Sequence, residues 1–317
     1  MSRLLIANRG EIAIRIARTA AEMGLTTLSI FAEDDANALH VRKTDEALAL
    51  RGSGPSAYLD AAQILDLARS AGATLIHPGY GFLSENADFA RACQVAGIGF
   101  VGPSPETLAL FGDKAAARAL AVECKIPVLP GTEGPTDLEA ALAFLKALGP
   151  QGAVMVKAIS GGGGRGMRPA HSADELTDVF ARCASEAQAA FGDGALYVEK
   201  FLPRARHVEV QIAGDGRVVS HLWDRECSLQ RQRQKIVEVA PAESLPAEIR
   251  ETLFEAAITL GRAAGYRALG TVEFLVEAGM DQPRVFFIEA NPRLQVEHTV
   301  TEAVTGVDLV EWQLRVA

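Results

Sequence analysis

Two acidic residues in "TVEFLVEAGMDQPRVFFIEANPRLQVEH", Thr271 to His298, set the chemistry to be explained. Two β-rich runs flank the turn signal "AGMDQP", so they are expected to pair as an antiparallel hairpin. In one register Glu273 faces Glu289; shifted by one residue, it faces Ile288 instead. Like charges directly opposite each other are unfavourable, and a divalent cation between them is a common remedy, with magnesium suited to hard carboxylate oxygens. Asn291, Arg293, Gln295 and Glu297 continue the alternation, so a chain that stays extended past Pro292 would carry a row of polar groups on one face. The competing reading is a solvated edge strand. The apolar run "RVFFIEA" weighs against it, because a buried carboxylate without a counter-ion is costly.

A second stretch, "VKAISGGGGRGM", places Lys157 ahead of Gly161, Gly162, Gly163, Gly164 and Gly166, with Met167 behind them. A P-loop has its lysine after the glycines, so this is a different device. Backbone amides of so glycine-rich a loop can close on phosphate oxygens, and an ammonium serves as a point charge for the same anion. A disordered surface hairpin is the plainer alternative. A third stretch, "DRECSLQRQRQKIVE", crowds Arg225, Arg231, Arg233 and Lys235 together, either as a solvated charged strand or as a local anion patch.

The elements that must position these residues follow from periodicity. "RLLIA", "TTLSIFA", "ATLIH" and "IGFVG" read as strands. They alternate with helices over "EIAIRIARTAAEMG" and "AAQILDLARSAG", whose apolar residues fall at helical spacing. That alternation predicts a parallel, Rossmann-like sheet in residues 1–112. The first turn reads N-R-G-E and lacks the glycine fingerprint of a dinucleotide site. Residues 113–203 read as a linker and a lid-sized module, with strands "AVMVKA" and "ALYVEKF" around a helix introduced by a capping box, Ser172 with Glu175. From residue 204 to 317, period-2 alternation around Asp215-Gly216 opens an antiparallel sheet. The expected class is therefore α/β followed by α+β.

The formal charge of −9 argues against nucleic acid or anionic membrane as the main partner. Cys93, Cys124, Cys183 and Cys227 show no CxxC spacing, which suggests neither a disulfide framework nor a zinc site. With no long apolar run and no cleavage-like signal, a cytoplasmic protein is expected.

Taken in order, "IANRGEIAIR", "HPGYGFLSEN", "FVGPS", "GDK", "VKAISGGGGRGM", "YVEKF", "RHVEVQ", "RECSLQR", "QK", "EVAPA" and "FIEANPRLQVEHTVTE" resemble the biotin carboxylase component of biotin-dependent carboxylases, in the ATP-grasp superfamily. The resemblance implies a Rossmann-like first domain, an ATP-grasp lid, and a partial antiparallel-sheet catalytic domain. It implies that Lys114 and Lys157 contact ATP phosphates under a lid of Gly161–Gly166, with Met167, Gln230 and Arg233 also at the nucleotide. Glu199, Lys200, Leu202 and His207 would line the adenine and ribose pocket. Glu273, Glu289 and Asn291 would hold Mg2+ or Mn2+; Lys235, Arg293, Gln295 and the backbone of Val296 would bind bicarbonate; and Glu297 would be the general base. Implied partners are a biotin carboxyl carrier, a carboxyltransferase and a second copy as homodimer. Three departures stand out: Arg233 where the family commonly has His or Asn, Ile159-Ser160 where it has serine then glycine, and an end at Ala317 ahead of the family's last segment, read as a C-terminal truncation. The alternatives are another ATP-grasp carboxylate ligase, or a domain that only binds nucleotide.

Overall fold

The computed structural model describes residues 2–159, 166–279 and 283–317. Three sheets organise it. The first contains β1 (Arg3–Ile6), β2 (Thr26–Phe31), β3 (Glu46–Ala49), β4 (Leu75–His77) and β5 (Gly99–Phe100), all parallel, in the order β3-β2-β1-β4-β5. Helices α1 (Gly10–Glu22), α2 (Ala61–Ser70) and α3 (Ala87–Val95) link its strands. The parallel sheet expected from the alternation is present, with β3 as an addition that periodicity did not reveal. The order reverses between β1 and β4, so the loops after these two strands lie side by side. Asn8, just past β1, donates from Nδ2 to the carbonyl oxygens of Pro78 (2.7 Å) and Tyr80 (2.8 Å) beyond β4. A Cβ on Gly79 would lie 2.8 Å from that nitrogen, and its φ of +65° also favours glycine, so this approach explains the glycine of "HPGYGF".

Helices α4 (Pro105–Gly112) and α5 (Lys114–Glu123) lead into the second unit. There α6 (Leu138–Ala147) and α7 (Ala173–Phe191) cover a sheet of β6 (Val154–Ala158), β7 (Met167–Ala170) and β8 (Leu196–Lys200), ordered β7-β6-β8. Ser172 caps α7 by accepting from the backbone N–H of Glu175 (3.2 Å). The other half of the capping box is displaced by one residue, since the Glu175 carboxylate accepts from the N–H of His171 (2.8 Å). The glycines Gly161, Gly162, Gly163 and Gly164 lie outside the described residues.

The third sheet is antiparallel: β9 (Ala205–Asp215), β10 (Val219–Arg231), β11 (Gln234–Val239), β12 (Arg267–Glu277) and β13 (Val285–Asn291), ordered β11-β10-β9-β12-β13. Helix α8 (Ala247–Ala263) packs on one face through Leu253, Phe254, Ala257 and Leu260 against Val208, Val210, Val272 and Phe274. Helices α9 (His298–Thr305) and α10 (Leu309–Val316) follow, and Leu309, Val310 and Leu314 join Ile6, Ile12 and Ile16 in a core shared with the first sheet. That shared core holds the first unit against the third. The cationic stretch is itself a hairpin: Arg231 pairs with Gln234 across a turn in which Gln232 (φ 51°) and Arg233 (φ 65°) are both left-handed. Among the described residues, no helix is long and apolar enough to cross a membrane.

Candidate functional site

The β12–β13 ladder contains both registers considered from sequence. Thr271, Val272 and Glu273 face Asn291, Ala290 and Glu289; Phe274, Leu275 and Val276 face Phe287, Phe286 and Val285. The shift between them is a β-bulge that leaves Ile288 without a partner. Ile288 and Glu289 therefore both line the central cavity, while Phe287 and Ala290 on either side belong to the core. The chain does not stay extended past Pro292. It turns through residues 292–297 into α9, and this loop, rather than a strand face, carries Arg293, Gln295 and Glu297 to the cavity.

The cavity, about 480 Å3, lies between the lid sheet and the antiparallel sheet. It is lined by Lys114, Lys157, Met167, Glu199, Lys200, Leu202, His207, Gln230, Arg233, Lys235, Glu273, Glu289, Asn291, Arg293, Gln295, Val296 and Glu297. Every sequence-expected site residue within the described chain lines it, apart from Gly166. The sequence reading missed the apolar and aromatic lining Leu129, Met155, Tyr197, Phe201, Leu275 and Ile288; Met155 and Leu275 alternate with residues that were recognised, which is the signal that could have found them.

At the antiparallel end, one ammonium serves three carboxylates. Lys235 Nζ donates to Glu209 Oε2 (2.5 Å), Glu297 Oε1 (2.7 Å) and Glu273 Oε1 (3.0 Å). Burial opposes its charge, but Glu273, Glu209 and Glu297 outweigh burial and hold the Lys235 ammonium far above its ordinary range. Glu273 also accepts from His207 Nε2 (2.6 Å) and Asn291 Nδ2 (2.8 Å). Burial alone would raise the Glu273 carboxyl; His207 and Lys235 together hold it well below the usual carboxylate range. His207 is raised in return, Glu273 overcoming the effect of burial. Glu297 is likewise lowered, because Lys235 offsets its desolvation. Arg293 pairs with Glu85 beyond β4, tying the loop to the first unit.

At the lid end, Lys157 pairs with Glu199, whose other oxygen lies 3.6 Å from Arg118 Nη1. Burial disfavours the Lys157 charge, yet Glu199 raises it above the ordinary lysine value. Burial pushes the neighbouring Tyr197 hydroxyl up to about 12. Lys114 opens α5 directly after its cap Asp113, where the helix dipole disfavours a cation, and burial lowers its pKa. A residue so placed is served by an anion. Glu289 is raised by burial and by Glu273, and neither its side chain nor that of Lys114 makes a hydrogen bond among the described residues.

The donor set for a cation is mixed. Among the described residues, His207, Glu209 and Glu273 bring ligand atoms within 4.8 Å of one another, but Lys235 already supplies positive charge there. Glu289 stands outside that cluster, opposite Glu273 and short of donors. A hard divalent cation fits the Glu273–Glu289 side, with the amide oxygen of Asn291 as a further ligand type. The cationic stretch does not act as one patch: Arg231 is exposed, Arg233 and Lys235 line the cavity, and Arg225 is completely buried. Cys93, Cys183 and Cys227 are buried and Cys124 half-buried, all as free thiols.

Comparison with known proteins gives two family matches: the biotin carboxylase N-terminal domain over residues 1–108, and the ATP-binding domain of the carbamoyl-phosphate synthase L chain over residues 113–317. Pyruvate carboxylase of Aspergillus terreus is 50% identical over 322 residues, 99% of this chain and 26% of that protein. Human mitochondrial pyruvate carboxylase is 49% identical, over 100% of this chain and 27% of that protein. The chain thus spans about a quarter of the length of these curated relatives. Among solved structures, biotin carboxylase from Campylobacter jejuni, in a complex with β,γ-ATP, superposes with TM-score 0.94 at 42% identity, over 99% of this chain and 70% of that one. The biotin carboxylase domain dimer of Hydrogenobacter thermophilus 2-oxoglutarate carboxylase, with MgADP, ADP and bicarbonate, gives TM-score 0.92 at 42% identity, over 99% and 69%.

Proposed function

The chain belongs to the biotin carboxylase family, and on that premise we propose that its cavity carries out ATP-dependent carboxylation of biotin, presented on a carrier, using bicarbonate. The observation that carries the reading is the convergence of Lys235, Arg293, Gln295 and Glu297 beside the Glu273–Glu289 pair in one cavity, with Glu297 held as an anion by Lys235.

In this reading Lys114 and Lys157 bind the phosphates, with Met167, Gln230 and Arg233 also at the nucleotide, while Glu199, Lys200, Leu202 and His207 surround adenine and ribose. Glu199 would act there from its ion pair with Lys157. Lys235, Arg293, Gln295 and the Val296 backbone hold bicarbonate. Glu273, Glu289 and Asn291 would hold Mg2+ or Mn2+, which when bound neutralises charge on the phosphate oxygens. Glu297 takes the bicarbonate proton, and a bicarbonate oxygen attacks the γ-phosphorus as the bond to ADP breaks. The product, carboxyphosphate, breaks down to CO2 and phosphate. Phosphate removes the ureido proton of biotin, and the ureido nitrogen forms its bond to CO2. The glycine loop would keep water from the labile intermediate.

The working architecture is a first domain at 1–112, a linker and lid at 113–203 and a catalytic domain at 204–317. The whole protein would pair this chain with a biotin carboxyl carrier and a carboxyltransferase, dimerise as the Hydrogenobacter thermophilus domain does, and act in the cytoplasm. The match of residues 113–317 to a carbamoyl-phosphate synthase domain favours, as a second reading, another ATP-grasp ligase that activates a carboxylate. Measuring ADP release with and without bicarbonate and free biotin separates the two. The first reading expects bicarbonate dependence and acceleration by biotin. Turnover indifferent to biotin would favour the second, and turnover indifferent to bicarbonate would exclude the first.

A further inference from the structure

Arg225 is 0% exposed, yet it lies in none of the groups assigned above. A guanidinium has five N–H donors and no acceptor. All five bonds are made to side chains. Nε donates to Glu209 Oε1 (2.5 Å), Nη1 to Gln211 Oε1 (2.9 Å) and Thr301 Oγ1 (2.7 Å), and Nη2 to Gln295 Oε1 (3.0 Å) and Thr271 Oγ1 (3.2 Å). Four of the five acceptors connect to the cavity, which Gln295 itself lines. The second oxygen of Glu209 holds Lys235. Thr271 precedes Glu273 by two residues on β12, and Thr301 lies one helical turn beyond Glu297.

The consequence for Gln295 is chemical. Because a guanidinium only donates, it obliges the carbonyl oxygen of the Gln295 amide to face it, which turns the NH2 group toward the cavity, 3.5 Å from Glu273 Oε1. An amide free to flip would offer the cavity an oxygen as readily as an N–H. Gln211 is fixed the same way, its Nε2 donating to the Gly270 carbonyl (2.9 Å). We propose that Arg225 is the positioning residue of the bicarbonate subsite: it fixes Gln295 as a donor and, through Glu209, holds Lys235 where both can meet one small anion. This rests on the bicarbonate reading and adds to it the group that sets the subsite's polarity. A buried ion pair of this kind is weak evidence for stability, so the reason for its presence is sought in this polarity.

The test uses bicarbonate-dependent ADP release by the wild type and by Arg225→Lys, Arg225→Met and Gln295→Glu, with melting temperature measured in parallel. Arg225→Lys keeps charge but loses the fork, and is expected to raise the KM for bicarbonate by roughly tenfold to a hundredfold, the scale of a lost charged hydrogen bond. The KM for MgATP should rise less than that for bicarbonate, because Arg225 reaches Glu273 only through Lys235 and Gln295. Arg225→Met should go further in the same direction. Gln295→Glu preserves an acceptor for Arg225 while removing the donor from the cavity, so it should weaken bicarbonate, with some melting temperature lost because the new carboxylate lies beside Glu273. A purely structural arginine would lower the active fraction, and hence apparent kcat, with neither KM moved; that result, or an equal rise in both KM values, overturns the proposal even if Arg225→Met fails to fold. A wild type indifferent to bicarbonate overturns the underlying reading and the proposal together, so the two failures are told apart.

Discussion

The two ends of the cavity handle charge in opposite ways. At the antiparallel end Glu209, Glu273 and Glu297 share Lys235, Glu209 also has Arg225 and Glu273 also has His207, so every carboxylate has a basic partner inside the fold. At the lid end Lys114 and Glu289 affect one another's ionisation without a hydrogen bond between them, and Glu289 faces another carboxylate. The first end is held in place by its own bonds, and because all three Lys235 N–H donors are taken by carboxylates, a small anion entering it must displace one of them. At the second end Lys157 is paired with Glu199, but Lys114 and Glu289 have no ion-pair partner among the described residues, and a ligand supplying both anion and cation completes them. A triphosphate with its metal has that composition.

Substitutions can break or sharpen this contrast. Lys235→Met should have the largest effect, since it removes the ammonium shared by three carboxylates and leaves Glu297 without an ion-pair partner among the described residues; breaking a buried pair costs roughly 3–5 kcal/mol, readable as a lower urea midpoint together with loss of turnover. A nearly unchanged midpoint would mean that the matched end is not matched by Lys235. Glu289→Gln should do the reverse to the ligand-free protein, leaving its melting temperature equal or higher, because removing one of two opposed charges relieves up to about 1 kcal/mol. The same variant should lose about tenfold in metal-dependent nucleotide affinity, equivalent to roughly 1.4 kcal/mol. An unaltered magnesium titration would remove Glu289 from the cation site. Glu85→Gln cuts a partly exposed pair with Arg293 and should cost only about 0.2–1 kcal/mol, less at high salt, while raising the KM for bicarbonate a few-fold.

The pH dependence should be the smallest signal. His207 is raised above its ordinary 6.5, so its contribution to stability is complete below 6.5 and fades as pH climbs through the raised value. Glu273 is depressed below 4.5, so its contribution is complete above 4.5 and is lost only as acid reaches the depressed value. Melting curves should therefore show an alkaline decline of about 2 °C that His207→Gln abolishes. An identical decline in the variant would assign the titration to another group.

Much of this was legible in the sequence because the signals are local. The turn signal "AGMDQP" between "TVEFLVE" and "RVFFIEA" paired β12 with β13 and narrowed the pairing to two registers, one of which opposes Glu273 to Glu289. Both occur, since nothing in composition announces a bulge. The β10–β11 hairpin was not legible because its turn uses Gln232 and Arg233 in left-handed conformations, where asparagine or glycine would be expected. Strand β3, "EALA", lacks the β-branched and aromatic residues that mark strands. Arg225 was grouped with its cationic neighbours, since spacing along the chain carries no information about partners as distant as Gln295 and Thr301.

The unpartnered Ile288 has a consequence for how such sites are found. Numbered as odd and even, β13 sends Val285 and Phe287 into the core, and strict alternation would send the odd-numbered Glu289 after them, an acid among Phe274 and Val276. One additional residue changes the parity halfway along the strand. Whether this hairpin can host an ion is therefore decided by a count rather than by residue type.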